Sequence, residues 1–338
     1  MKNPISGFAI RLALISVPML LLTASYLYFD PYKVLRPYSA YFESGKPNYV
    51  VLNKGYVSLQ TFIHNYPVLK YDSIVFGSSR SMYYRVADWK THIKAVEGYH
   101  FDAAGESLFG IYKKFEFLHA NNVPLRNALI ILDTDTLSKT GNSKDHLFQQ
   151  PPQLTQKPMY LFHLDAFKTF LNPEFLTAYF DLKLFGQMRP YMKDAGIMDD
   201  RSFEYDPASN EILFSDYEAE IKEDRGAFYA SRKNFFRERS KIQQVSPPVI
   251  QAEQRRQLQY IKDRLAADQA SYRLVISPGY DQVKFNPGDL EILNTIFGSA
   301  NVFDFSGINE FTTPMDNFYD GLHYRPHVAK QILDRIYR

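Results

Sequence analysis

The chain contains no cysteine. Disulfides and thiolate metal sites are thereby excluded, while the compartment stays open, because many exported proteins also do without the residue. An excess of one charge is missing too: 39 basic residues stand against 37 acidic ones, which leaves no electrostatic footprint for a nucleic-acid partner. Histidines are few and scattered. His64, His92, His100, His119 and His146 offer no close pair, and His323 and His327 stand four apart with Pro326 between them, a poor start for a helical metal site. No metal and no cofactor is expected. There is no internal repeat and no low-complexity segment, and no second long apolar run follows residue 29.

What is present begins with aromatics: 25 tyrosines and 27 phenylalanines against one tryptophan. Core packing explains such a content, and so does a sugar-facing surface of rings and phenols. With 45% hydrophobic residues over 338 positions, the chain can bury a sizeable core in one large domain or two small ones. From Leu12 to Phe29 there are eighteen residues without a charge, the length of a membrane span. Lys2 and Arg11 precede the run, which favours a cytoplasmic amino end. Tyr26, Tyr28 and Phe29 stand where an interfacial aromatic belt belongs, and Asp30-Pro31 closes the helix. The expectation is an uncleaved anchor over 1–29, a lead-in over 30–70, and a domain over 71–338 on the far side of the membrane.

Beyond the lead-in the sequence alternates. Ile74-Val75-Phe76, Tyr99 to Ala103, and Ala128 to Leu132 read as short buried strands. Helical spacing lies between them: one helix from near Met82 towards His92, another from Leu108 to Asn121 with Ile111, Phe115 and Leu118 on one face. Three such rounds predict a parallel sheet with crossover helices. Residues 138–250 break the rhythm with aromatic helices and a charged stretch, and are read as an insertion over the carboxyl edge of the sheet. A helix at 251–267, strands at 272–276 and 301–305, and a final helix from Pro326 complete an α/β, three-layer arrangement.

Two loops attract chemistry. The first, Gly77-Ser78-Ser79-Arg80, follows the first strand, at the sheet edge where open α/β folds place their sites. The second, Asp320-Gly321-Leu322-His323, follows the last strand. A serine needs an imidazole base to attack at neutral pH, and the base needs orienting. The chain order Ser, Asp, His occurs in other α/β serine hydrolases.

These two blocks resemble the first and last blocks of the SGNH (GDSL-like) hydrolases, in the Gly-Ser-Ser variant of membrane-anchored bacterial members. The resemblance covers about 70–135 and 270–338. It implies an SGNH/flavodoxin-like fold, Ser79 as nucleophile, His323 as base, Asp320 as its orienting partner, and Gly105 beside the oxyanion. Where the family usually carries Gly-x-Asn-Asp, this chain reads Leu132-Asp133-Thr134-Asp135, without the asparagine. Either the Thr134 hydroxyl donates to the oxyanion, or the amides of Ser79 and Gly105 suffice. Asp133 and Asp135 also fit a helix cap and a solvated turn. Arg80 has two readings as well, a clamp on a substrate carboxylate or, slightly favoured, a structural arginine shaping the turn.

The function implied is a serine esterase or O-acyltransferase anchored in a bacterial inner membrane. Its domain lies in the periplasm and acts on O-acyl, chiefly acetyl, groups of an acylated carbohydrate or polysaccharide. The rival, motivated by the missing asparagine, is a catalytically inactive binding or scaffold component of a polysaccharide assembly machine, with an envelope protein as partner.

Overall fold

The computed structural model describes residues 4–95, 97–194 and 198–338, and the side chains of these except 4–13, 15 and 194. Lys2 lies outside the described residues, as does the Arg11 side chain. Helix α1, Pro4–Phe29, runs for 26 residues with Pro18 inside it. Among the described residues no helix is long and apolar enough to cross a membrane. The expected span falls partly outside that set, at Leu12, Ala13 and Ile15. The described part of α1 exposes Leu14, Val17, Leu20 and Leu21, and its far end is buried through Tyr26.

Five strands form one parallel sheet: β1 Ser73–Phe76, β2 Gly98–His100, β3 Asn127–Leu132, and two later strands at Ser271–Ile276 and Val302–Asp304. Between β3 and these, Glu204–Asp206 (β4) pairs antiparallel with Glu211–Leu213 (β5) in a separate hairpin. The later strands are therefore β6 and β7, and the sheet order is β2-β1-β3-β6-β7. The central strands β1 and β3 are near-continuous apolar runs, as a sheet covered on both faces requires. Alternation divides the side chains cleanly between those faces. Ile74, Phe76, Ala128, Ile130, Leu132, Leu274 and Ile276 point into one cluster, while Val75, Leu129, Ile131 and Val275 point into another. On the first face pack α2 (Lys54–Leu69), α4 (Leu108–Ala120), and two later helices at Ala252–Ala267 and Pro287–Phe297. On the second lie α3 (Val86–Lys90) and the terminal helix Pro326–Ile336, which turns Val328, Ala329, Ile332, Leu333 and Ile336 inward. The result is an α/β fold with a parallel sheet flanked by helices.

Residues 138–250 carry α6 (Pro152–Thr155), α7 (Met159–Phe170), α8 (Pro173–Phe185), α9 (Pro190–Asp194), the β4–β5 hairpin and α10 (Ser215–Ser231), following a short α5 at Thr134–Ser138. The helices after them are α11 (Ala252–Ala267), α12 (Pro287–Phe297) and α13 (Pro326–Ile336). A third cluster joins this region to the lead-in: Tyr26, Tyr32, Tyr41, Phe42, Val50, Leu52 and Tyr56 pack against Phe162, Phe170, Phe175, Tyr179 and Ile212.

Three local expectations need correcting. The continuous helix expected from Met82 to His92 is a 3-10 turn at Ser79–Tyr83 followed by α3. Tyr83 and Tyr84 are consecutive and both buried, which pulls the chain out of a single helical face. The strand expected to reach Ala103 ends at His100, although Phe101 still donates to the Val75 carbonyl of β1 and Ala103 to the Gly77 carbonyl just after it. Helix α12 was not anticipated. Its signal is Asn286-Pro287, where the Asn286 side chain caps the Gly288 amide at 2.9 Å and the proline occupies the first turn.

Candidate active site

The strand order reverses between β1 and β3, which opens a crevice at their carboxyl ends. The serine turn sits there. A Cβ on Gly77 would approach the Ile131 carbonyl to 2.8 Å and the Ser81 Cβ to 2.9 Å, so only glycine lets the turn lie this close to β3. Ser78 is extended, and Ser79 opens the 3-10 turn, whose first amides have no acceptor within it. The Ser81 hydroxyl lies 2.6 Å from the Ser78 carbonyl and 3.0 Å from an Asp102 carboxylate oxygen. Asp102 in turn accepts from His100 Nδ1 at 2.8 Å, while His100 Nε2 faces the Tyr84 carbonyl at 2.9 Å. Burial would lower the His100 pKa, but the Asp102 charge and hydrogen bond outweigh it and raise it above the ordinary value. With acceptors at both nitrogens, the ring is held as a buried imidazolium that buttresses the serine turn.

The second loop closes on itself. The Asp320 carboxylate accepts the Leu322 and His323 amides at 2.7 and 2.9 Å, and Tyr319 donates its amide to the His323 carbonyl at 2.8 Å. This brings the Asp320 carboxylate to 2.9 Å from His323 Nδ1, and His323 Nε2 to 2.9 Å from Ser79 Oγ. Burial alone would raise the Asp320 pKa. The His323 hydrogen bond and charge, with the two amides, prevail and hold it below the ordinary carboxylate value. Ser79, His323 and Asp320 therefore form a continuous hydrogen-bonded line, at the distances a nucleophile, a base and its orienting carboxylate would need.

Arg80 locks the two loops together. Its guanidinium meets Asp133 at 2.6 Å and donates to the Leu322 carbonyl at 3.0 Å, and its own carbonyl accepts from the Tyr324 hydroxyl at 2.9 Å. Asp133 also caps α5 through the Thr136 amide at 2.7 Å. Its charge is thus answered by Arg80 and by a helix amino end, and Asp135 is an exposed partner of Lys139. The geometry is that of a structural arginine.

A cleft of about 310 Å³ opens in front of Ser79 and His323. Met82, Tyr83 and Ala104 line it from the sheet side, and Asp320 reaches it too. The opposite wall was not anticipated from sequence in its detail: Phe42, Asn48, Val50, Leu52 and Lys54 come from the lead-in and the start of α2, and Asp199, Arg201, Phe203, Ile212, Phe214 and Tyr217 from the insertion. Lys54 is fully buried, its ammonium bonded to the Asn210 side chain at 2.7 Å, and burial pushes its pKa down to about 8. No local sequence signal marks it.

The remaining candidates are placed differently. Thr134 and Arg80 line a separate cleft of about 370 Å³ with Asp133, Asp135, Ser277 and Asp281, and neither is among the residues lining the cleft before Ser79. Gly105 takes a left-handed φ of +58°, and a Cβ there would meet the Phe148 ring at 3.0 Å. Its neighbour Ala104, rather than Gly105 itself, borders the Ser79 cleft. His327 bonds the Asn317 side chain at 3.0 Å, and among the described residues no three potential ligands are grouped for a metal. A scan against protein-family models finds no match for the chain, and no curated protein matches it significantly.

Proposed function

We propose that the protein is a membrane-anchored, SGNH-type serine enzyme that cleaves or transfers O-acyl groups, with an acylated envelope or secreted polysaccharide as substrate. The observation that carries this reading is the line from Ser79 Oγ to His323 Nε2, 2.9 Å, and from His323 Nδ1 to Asp320, 2.9 Å. Ser79 attacks the ester carbonyl while His323 takes its proton. The imidazolium, held by Asp320, returns that proton to the leaving alcohol. The acyl-enzyme then passes to water in an esterase or to a sugar hydroxyl in a transferase. With Thr134 in another cleft, the oxyanion is left to backbone donors: the Ser79 amide and the Ala104–Gly105 loop.

The cleft suits an acylated sugar in its mixture of surfaces. Tyr83, Phe214 and Tyr217 offer rings for a sugar face, Asn48, Asp199 and Arg201 offer polar contacts, and Val50, Leu52 and Met82 offer an apolar site for the acyl group. For the anchor, support comes from the 26 residues of α1, about 39 Å at 1.5 Å per residue, together with its exposed leucines and the charge-free run. Lys2 and Arg11 support an amino end on the cytoplasmic side with the domain on the far side, and the bacterial inner membrane and periplasm are what the SGNH resemblance implies.

The test is hydrolysis of a chromogenic acetyl ester by the full chain in detergent, beside Ser79→Ala. The full chain is used because Tyr26 and Asp30 of the anchor end are buried in the domain. Activity lost in the variant, with unchanged melting, supports the enzyme. Equal background in both proteins overturns it for simple esters. The absence of a Thr134 donor from the Ser79 cleft favours the second reading, an inactive glycan-binding or scaffold protein with an envelope partner. In that case an acylated oligosaccharide binds equally to the wild type and to Ser79→Ala.

A further inference from the structure

The insertion leaves large apolar side chains uncovered at one place. Tyr160 is 69% exposed on α7, and Leu184 and Phe185 are 77% and 64% exposed at the end of α8; Leu164 and Tyr191 are exposed beside them. Other residues of the same two helices touch the end of α1. Tyr160, Leu164 and Phe167 follow one another at helical spacing on one face of α7, and the Phe167 ring lies 5.1 Å from that of Tyr26 in α1. On α8, Tyr179 meets the Phe29 ring at 6.1 Å, and the Lys183 ammonium stands over Phe29 at 5.6 Å, one residue before Leu184. The apolar surface is thus continuous with the end of α1. Over 157–193 the sequence carries five basic residues against three acidic ones, interleaved with aromatics in the manner of interfacial segments.

We propose that the exposed face of α7 and the end of α8 rest on the bilayer that α1 enters, with the aromatic and leucine side chains at the headgroup–acyl boundary and Lys183 at anionic lipid phosphates, while Arg189 stays paired with Asp181 at 3.1 Å. The proposal rests on the reading of α1 as an anchor. Given that anchor, Phe29 lies at the membrane surface, and side chains joined to it by direct ring contact cannot stand far above it. A bilayer is the occupant that α1 itself supplies. Burying such side chains at an interface is favourable by the usual apolar term; Lys157, Lys168, Arg189 and Lys193 pair with aspartates, so the attraction to anionic lipid comes from Lys183. The consequence is orientation. Phe162 and Phe175 belong to the same cluster as Phe42, Val50 and Ile212, which wall the cleft, so α7 and α8 fix the cleft at a set height above the lipid.

Because the chain has no cysteine, single cysteines report cleanly. A nitroxide is attached at position 20, 160, 184, 185 or 299 of the full chain in bilayers of phosphatidylcholine and phosphatidylglycerol, and its collisions with oxygen and with a water-soluble nickel chelate are compared. The expected result is a deep reading at Leu20, an interfacial reading at Tyr160, Leu184 and Phe185, and an aqueous one at Ser299, an exposed position on the connection from α12 to β7. Aqueous readings at 160, 184 and 185 with a deep reading at 20 overturn the proposal and leave the anchor standing. So do readings at 160, 184 and 185 that are shielded from both reagents, as under a protein partner. An aqueous reading at 20 overturns the anchor itself and the proposal with it.

Discussion

On the sheet side of the cleft, reactive groups are fixed by directional bonds. On the lead-in and insertion side, the wall is held mainly by stacked rings. Ser79, His323, Asp320, Arg80 and Asp133 are joined by contacts of 2.6 to 3.0 Å, and the buried His100–Asp102 pair supports the turn from below. Opposite them, Tyr56 stacks on Phe162 at 5.4 Å, Tyr32 stacks on Phe175 at 5.2 Å, and Phe42 meets Phe203 and Tyr205 edge-on. Hydrogen bonds weaken steeply with misalignment, whereas ring packing tolerates small shifts at little loss. The first side is therefore built to hold atoms in place for chemistry. The second shapes a volume, and its side chains can change without disturbing the serine.

The sharpest way to break this contrast is to remove the base. His323→Ala should lower kcat on an acyl ester by about 10²–10⁴-fold while leaving KM and the melting temperature near those of the wild type; a change confined to KM would place His323 among the shape-giving groups instead. Next comes the ring wall. Phe175→Ala, at a fully buried position, should destabilise by about 3–5 kcal/mol in denaturant titration. A single transition is expected, since the same cluster includes Tyr56 and Val57 of α2; two transitions would show that the aromatic layer is a separate unit.

A smaller effect should follow Arg80→Met, which leaves the Asp133 carboxylate without its 2.6 Å partner. A loss of about 1–3 kcal/mol is expected, with a fall in kcat and little change in KM, because the guanidinium lies outside the Ser79 cleft. A rise in KM alone would restore the substrate-clamp reading. A separate test is a pH slope. Burial brings folded Lys54 from 10.5 to about 8, so between those values the unfolded chain holds a proton that the folded chain has released. Stability contributed by this group therefore rises with pH across that window and is lost as pH falls towards 8. The stability of Lys54→Met, followed by denaturant titration against the wild type, should lack this rise.

Much of the sheet was legible because its signals are local. Ile74-Val75-Phe76 and Ala128 to Leu132 are apolar runs too short for independent helices, and Gly77 marks the turn that follows the first. Helix α12 was missed despite its Asn-Pro start, because the segment before it gives no periodic lead. The β4–β5 hairpin was missed because three-residue strands leave almost no alternation to read. Of the candidate site, the two loops could be found, since glycine, serine, aspartate and histidine stand close together within each. Thr134 could not be placed, because whether a residue at a strand end faces one cleft or the next depends on the helix it caps or begins.

The amino-acid sequence by itself determined the alternation of strand and helix, the charge-free run at the amino end, and the identity of the loops that carry Ser79, Asp320 and His323. These rest on neighbours within a few positions, where backbone preference and periodicity act. Tertiary structure alone decided that Ser79 and His323, 244 residues apart, stand 2.9 Å from one another. It also decided that Arg80 turns to Asp133, and that the cleft wall is drawn from residues 42–54 and 199–217. Those outcomes depend on strand order and on the packing of distant aromatic surfaces, which no window of sequence contains.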